Sequence, residues 1–584
     1  LKRGGESTEA SAKYTISDYG LNRIDVVASG ALDDDLYYMV GGYIKSSEGI
    51  RDAGFNSEQG NQFTVNITKV FEKGELNLYT RQTDDRGTWY LPTPLNVEGI
   101  DANYTQIGPL NRQGTITYGP NDTAESFDFG EGRGWDGHVS GGSIKLDLGN
   151  DWQLVDRFKL TKGEANTFGL VPNGSATTVA NVADNGESAT GAVTGTVYDG
   201  DTPIQQIGRW VVLKDIEAFT NDLAVSKSWE DFDTSFGIYS ATTKAEDWWS
   251  IGNTAYHVLQ PGGELLDGIE CNTDAQGCDW NYDISSVGDA STFALYATGT
   301  WYATTDLSID LGLRRENHEV SYSVDEGLDG EITKALEYDE TKTSWTVGAN
   351  YALNDTSGVF VRMNRGYKMP YFDDFRDNWG AYTGGNDLIK EVTQGELGYK
   401  FMNDSIQFFA TAFANEVKGD TFVRRPGAPA EILTNEAYGL ELDGRYSHDS
   451  GFSLSVNATI QETEITASAN NEGNESQRQP GWQVRVTPSY GFDIGDMYAT
   501  VYGTLSAVDD RFGNNENTVV LEGYEKVDVG LTLEPTESLR LQFSVDNLTD
   551  EQGITEGDPR NPDSPNGRYI MPRSMKLSVS YLFF

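Results

Sequence analysis

A chain of 584 residues with 43 Lys and Arg against 90 Asp and Glu carries a formal charge of −47, which excludes nucleic acid as a partner, because phosphate binding needs clustered cations. The histidines (His138, His257, His318 and His448) are scattered, and Cys271 and Cys278 have no second Cys/His pair near them, so a zinc site is excluded. No window approaches about 18 consecutive apolar residues, so no helix of this chain spans a bilayer, and the polar start LKRGGESTEASAKYTI has no apolar core of a signal peptide.

Alternation of apolar and polar residues, rather than helical periodicity, runs the length of the chain. Segments of roughly 10 to 14 residues begin near Ala10, Asn22, Leu36, Asn61, Glu75, His138, Trp152, Lys214, Phe232, Ser291 and Leu307. The second half continues near Thr343, Gly358, Glu391, Ile406, Asn435, Phe452, Gly481, Met497, Tyr524, Leu539 and Arg573, about 22 strands in all. In LRLQFSVDN, Leu539, Leu541, Phe543 and Val545 face one way, and Arg540, Gln542, Ser544 and Asp546 the other. The short connections at 33–35, 72–74, 149–151, 354–357, 403–405, 449–450 and 494–496 are rich in turn formers. They alternate with long polar connections, the largest near 86–137, 166–209 and 246–290. A compact soluble domain rarely carries several structureless loops of that length, and no repeat of the propeller kind is present.

These features predict an all-β fold: a large closed antiparallel transmembrane β-barrel of about 22 strands, with short periplasmic turns and long extracellular loops. In hydrocarbon each unpaired backbone group costs several kcal/mol, so the sheet must close. The last strand puts Met575, Leu577, Val579, Tyr581 and Phe583 towards lipid and Lys576, Ser578 and Ser580 towards the lumen, with Phe584 one step beyond. It pairs with the first strand near residues 10–17, so neither keeps a free edge. Trp152, Trp229, Trp301 and Trp345 sit near strand ends and belong to interfacial girdles. A lumen this wide cannot be filled by its own side chains and needs a plug. In ECNTDAQGCDW the six-residue spacer between Cys271 and Cys278 predicts a small disulfide and an oxidising compartment.

Several stretches resemble the TonB-dependent receptors of Gram-negative outer membranes. Arg365-Gly366-Tyr367-Lys368-Met369-Pro370 is similar to that family's Arg-Gly-aromatic-x-x-Pro element before an external loop. EVTQGELGYKF (Glu391, Gln394, Glu396, Gly398, Lys400) and NEAYGLELDGRY (Asn435, Gly439, Glu441) resemble its next strands. SVDNLTDEQ, with Asn547, Leu548, Thr549 and Asp550, resembles its Asn-Leu-x-Asp element, and a terminal Phe follows. The match runs through the last 230 or so residues. The family carries a plug and a TonB-contacting segment before the barrel. Residues 1–9 are therefore expected to be the end of a plug domain and residues 10–584 the barrel, with the N-terminal portion missing from this sequence.

The resemblance implies active import of a scarce, bulky ligand, energised by TonB: a receptor and transporter rather than an enzyme. No residue pattern points to a catalytic group, a cofactor or a metal. The acid pairs Asp373-Asp374 and Asp509-Asp510 read as solvated loop charge. Ferric siderophores are the expected ligand. An oligosaccharide is the alternative, and a passive pore or a soluble β-rich surface binder is the reading from another class. Candidate ligand-binding residues are the loop aromatics Trp135, Trp248, Trp249, Trp280, Tyr367, Trp379 and Tyr382, which could stack on flat ligand faces, and the basic residues Arg365, Lys368 and Arg376. Arg424 and Arg425 are a second basic pair. Expected partners are TonB, the extracellular ligand, outer-membrane lipid and lipopolysaccharide, and the barrel assembly machinery.

Overall fold

The computed structural model describes residues 2–183, 186–267, 269, 281–423, 428–558 and 565–584. Cys271, Cys278, Trp280, Arg424 and Arg425 lie outside the described residues. The main sheet holds 23 strands, one of them the two-residue Thr177–Thr178, which pairs only with Pro203–Ser228. The other 22 are the staves of a closed antiparallel barrel. Closure occurs where Glu9–Ser17 pairs with Ser574–Leu582, Thr15 opposite Ser578 and Tyr14 opposite Val579. Just past that ladder, the Phe583 N–H donates to the Ala10 carbonyl at 2.8 Å and the Ala10 N–H to the Phe584 carbonyl at 3.3 Å. The predicted faces of the last strand hold. Met575, Leu577, Val579, Tyr581 and Phe583 are exposed, whereas Ser578 is buried with its Oγ 2.9 Å from Thr15 Oγ1.

At one rim, residues 34–35, 72–73, 150–151, 355–356, 495–496 and 537–538 are each enough to reverse the chain. Asn150 and Asp151 take φ of 52° and 63°, the left-handed pair that a two-residue hairpin needs to match strand twist. Trp152 and Trp229 meet edge-on beside this rim, 6.2 Å apart, with Lys227 Nζ over both rings. That is the arrangement of an interfacial girdle, where an apolar ring meets a wet cation.

The other rim departs from the sequence reading. Pro203–Ser228 has 26 residues and Phe232–Val258 has 27, more than twice the roughly 9–11 a tilted stave needs to cross hydrocarbon. Much of the expected structureless stretches at 166–209 and 246–290 is therefore strand that rises past the membrane. The periodicity fails there because the outward face stops being apolar. Lys162, Glu217, Lys244 and Asp289 stand directly opposite one another on four successive staves, with Lys162–Glu217 at 2.9 Å and Lys244–Asp289 at 3.1 Å. One row further out, Asp84, Asp136, Glu164, Asp215 and Glu246 face each other in the same way.

The long loops interlock above the wall. Thr93–Pro94, between the fifth and sixth staves, joins Asn566–Tyr569 and Ile554–Gly557, between the last two staves, in one small sheet. The Ala102 N–H donates to Gln552 Oε1 at 2.9 Å, and Gln205 Nε2 donates to Asn566 Oδ1 at 3.0 Å. Loops from separate parts of the rim are thus tied into a cap.

Candidate functional site

Five of the sequence-selected residues come together around the loop 369–389: Arg376, Trp379 and Tyr382 within it, and Trp249 and Lys368 on the strands it meets. Two short helices, Phe372–Asp377 and Trp379–Thr383, fold this loop against the staves. Phe372, Phe375 and Leu388 enter a core with Ala245, Ile284, Val320, Tyr322 and Leu336, and Trp249, Trp379 and Tyr382 pack around it. Arg376 is 4% exposed, with its guanidinium carbon 4.0 Å from the Trp249 ring centre. It donates to Asp373 and Asp377, each at 2.8 Å, and lies 3.8 Å from Asp247. Lys214 bridges Asp247 and Asp373 at 3.1 and 3.2 Å. Burial pushes Asp373 up, but Arg376 and Lys214 outweigh it and hold the carboxyl below its usual value. Lys368 pairs with Asp374 at 3.4 Å. The cations expected to meet a ligand are therefore spent on the chain's own carboxylates.

The remaining selected residues part company. Along Ser357–Lys368, Val361 and Met363 face lipid, so by the two-residue alternation of a strand Arg365 and Tyr367 face outward as well. Arg365 donates to Glu391 at 2.5 Å on that outer wall. The expectation that Arg365 and Tyr367 line the mouth is corrected: register, not sequence proximity to the loop, decides their side. Trp248 faces the opposite way from its neighbour Trp249 and is packed under Tyr118, 4.9 Å away and edge-on, and Phe127. Trp135 stands on the wall opposite Asp85 and Ala165, on the face away from lipid-facing Leu78.

A second cluster contains residues that sequence reasoning missed. The dipeptide Trp89-Tyr90 carries one guanidinium on each ring: Arg133 lies 4.1 Å from the Trp89 centre and Arg51 lies 5.0 Å from the Tyr90 centre. Arg51, from the loop 48–57, is 1% exposed and donates through Nη2 to the Tyr569 carbonyl at 3.0 Å. Its Nε has no partner. The residue before Tyr569, Arg568, pairs with Glu556 at 3.0 Å, and Glu556 is shared with Arg478 at 2.9 Å. Burial, and then Arg568, push the Arg51 guanidinium down to about 10, and the same two causes lower Arg133. Arg133 is exposed and, among the described residues, has no acidic partner. The available signal was the pairing of Trp89-Tyr90 with Arg568-Tyr569, but only the folded cap brings two segments so far apart in sequence together.

A closed wall of 22 staves, short turns at one rim and interlocked loops at the other define a large outer-membrane β-barrel. The chain belongs to the TonB dependent receptor-like, beta-barrel family, whose model matches residues 71–548. The family consists of receptors and transporters, and its barrels lie in the Gram-negative outer membrane, which places this one there. The pesticin receptors of Yersinia enterocolitica and Yersinia pestis are each 25% identical over 321 residues, covering 52% of this chain and 45% of the relative. The chain thus spans less than half the length of those relatives. The ferric yersiniabactin uptake receptor FyuA from Yersinia pestis superimposes with a TM-score of 0.73 at 16% identity, over 100% of this chain and 81% of that one. BauA, the ferric preacinetobactin receptor from Acinetobacter baumannii, gives 0.68 at 15% identity, over 100% and 81%. At these identities the two structures bear on the fold.

Proposed function

We propose that this chain is the barrel of a receptor that imports a ferric siderophore, energised through TonB by a segment outside this sequence. The observation that carries the reading is the closed 22-stave wall under a cap of tied loops, in a chain of this family. A wall this wide is suited to bulky cargo, and the cap offers arginines over aromatic rings where flat, anionic chelates would dock. The ferric yersiniabactin and ferric preacinetobactin receptors, whose barrel fold this chain shares, favour the same cargo. Trp248, Trp249 and Trp379, candidates for stacking on a siderophore or a sugar alike, are consumed in packing and are not offered to either. The protein acts as a receptor and transporter rather than an enzyme. Residues 1–9 lead from a plug domain into the barrel, and lipopolysaccharide and the assembly machinery are its remaining partners.

The test is tryptophan fluorescence of the purified full-length receptor titrated with ferric and iron-free siderophores and with oligosaccharides, together with growth of iron-starved cells. Saturable binding of a ferric siderophore, and growth on it that needs both this protein and TonB, are expected. Binding confined to oligosaccharides would overturn the reading.

A further inference from the structure

The lipid-facing wall carries a carboxyl group where hydrocarbon should meet apolar side chains. A Cβ at Gly142 would lie 2.7 Å from Leu78 Cδ2 and 3.1 Å from Phe158 Cζ, so Phe158 shares the face of lipid-exposed Leu78. Asp156 is two residues from Phe158 on the same strand and points the same way. Asn221 stands opposite Phe158 on the next stave, in phase with lipid-exposed Phe219. Its Nδ2 donates to Asp156 Oδ1 at 2.7 Å and, on a longer bond, to the Arg157 carbonyl at 3.3 Å. Asp156 makes no other hydrogen bond and no ion pair among the described residues. Ile144, Leu154, Phe158 and Leu223 surround the pair. Asp156 lies four residues above Trp152 in the inner girdle and six below Lys162, where the outer wall turns charged. At about 2.5 Å of height per tilted residue, it sits about 10 Å inside an apolar band about 25 Å tall.

We propose that Asp156 and Asn221 are the contact point for a second copy of this chain, the two barrels being related by a two-fold axis along the membrane normal. An ionisable group at this depth is costly and is kept where it meets a water-filled cavity or another protein surface. The lumen is no help, since Arg157 and Asp222, 3.9 Å apart, mark the opposite face of the same staves. Lipid chains offer no hydrogen bond. A second copy does, and at the right height: a two-fold axis along the normal sets each pair at the depth of its twin, whereas an unrelated barrel would need a matching pair of its own. The pair is also self-complementary. Asn221 keeps one N–H on its own Asp156 and turns the other, now on the long bond to the Arg157 carbonyl, to Asp156 Oδ2 of the second copy. The same contact repeats in the opposite direction, as an isologous interface requires. Leu154, Phe158 and Leu223 pack around the four polar groups and keep lipid from them. The contact concerns the wall and not the cargo, and it stands whichever ligand the barrel imports.

The test is energy transfer between two populations of the full-length receptor, labelled with a donor or an acceptor dye and mixed in phosphatidylcholine vesicles. Transfer above the level of randomly placed barrels, falling as unlabelled copies are added, is the expected result. Asp156→Leu and Asn221→Leu should each raise the dissociation constant of the dimer about tenfold or more, since each removes both symmetric hydrogen bonds at once. Leucine matches the apolar neighbours of either position, so both variants should insert, and the resistance of the unheated barrel to SDS checks that they are folded. Barrels that stay monomeric in the vesicles overturn the proposal. So does association that both variants leave unchanged, because the contact would then lie on another face of the wall.

Discussion

Arg376 and Trp249 hold a loop to a wall: the guanidinium carbon is 4.0 Å from the ring centre, and three carboxylates, Asp247, Asp373 and Asp377, surround the same group. Removing one partner from a buried ionic network strands the others, at a cost of about 3–5 kcal/mol. Arg376→Ala should therefore release the loop 369–389 while leaving the barrel closed. Limited proteolysis should cut within this loop, and the resistance of the unheated barrel to SDS should be unchanged. Arg376→Lys keeps the charge but loses the planar fork and should be intermediate. A loop equally protected in Arg376→Ala would refute the role.

Glu264 staples another part of the cap. It is buried and accepts from the Val193 N–H at 3.0 Å, the Thr194 N–H at 2.9 Å and the Tyr198 hydroxyl at 3.0 Å. Burial pulls its carboxyl up, but the Thr194, Val193 and Tyr198 donors outweigh that and hold it below the ordinary 4.5. A carboxyl lowered on folding adds stability that is fully present above the unfolded value and lost as pH falls through the folded one. Amide protection of Val193 and Thr194, corrected for intrinsic exchange, should be constant near neutrality and decline below about pH 4.5. Glu264→Gln should lose protection at all pH values and flatten the profile.

The faces of the last strand make a paired prediction. Leu577 points to lipid and Ser580 to the lumen. Leu577→Arg should destabilise the barrel by about 2–4 kcal/mol, the cost of a cation on the lipid face near the midplane. Ser580→Arg should change stability far less. Urea unfolding in lipid vesicles compares them, and equal losses would mean the faces are assigned wrongly.

Arg365 should matter little to ligand. It lies on the outer wall with Glu391, so Arg365→Ala should leave ferric-siderophore affinity within about twofold, as expected for an exposed ion pair. A larger loss in the fluorescence titration would return it to the mouth.

How far the sequence could be read follows from where each strand meets lipid. The starts expected at Leu36, Trp152, Phe232, Leu307, Ile406, Phe452, Met497 and Leu539 coincide with the observed ones, because each follows a tight turn at the membrane's inner edge and alternation begins at once. The starts expected at Lys214, Ser291 and Thr343 fall late, and the strands begin at Pro203, Tyr282 and Lys334. Their upper parts face water on the outside, as Glu217 and Asp215 do, and carry no apolar stripe. The ligand site was less legible for a related reason. Which aromatic packs and which stays free depends on loop contacts between distant segments, as between Arg51 and Tyr569, and no local pattern encodes those. Trp379 and Trp249 look as available in sequence as Trp89 does.

The pairing of Glu9–Ser17 with Ser574–Leu582 also has a kinetic meaning. Every other stave lies beside its neighbour in the chain, so the wall can grow by successive hairpins of low contact order. The seam joins Thr15 to Ser578, 563 positions apart, and contacts of that span must wait for the chain between them to be ordered, since loop-closure entropy precedes their reward. Crosslinks placed across Thr15 and Ser578 during refolding should appear after those across the interior hairpins. A substitution in an interior hairpin then acts on a local step, while one at the seam acts on the single event that converts a ribbon into a tube.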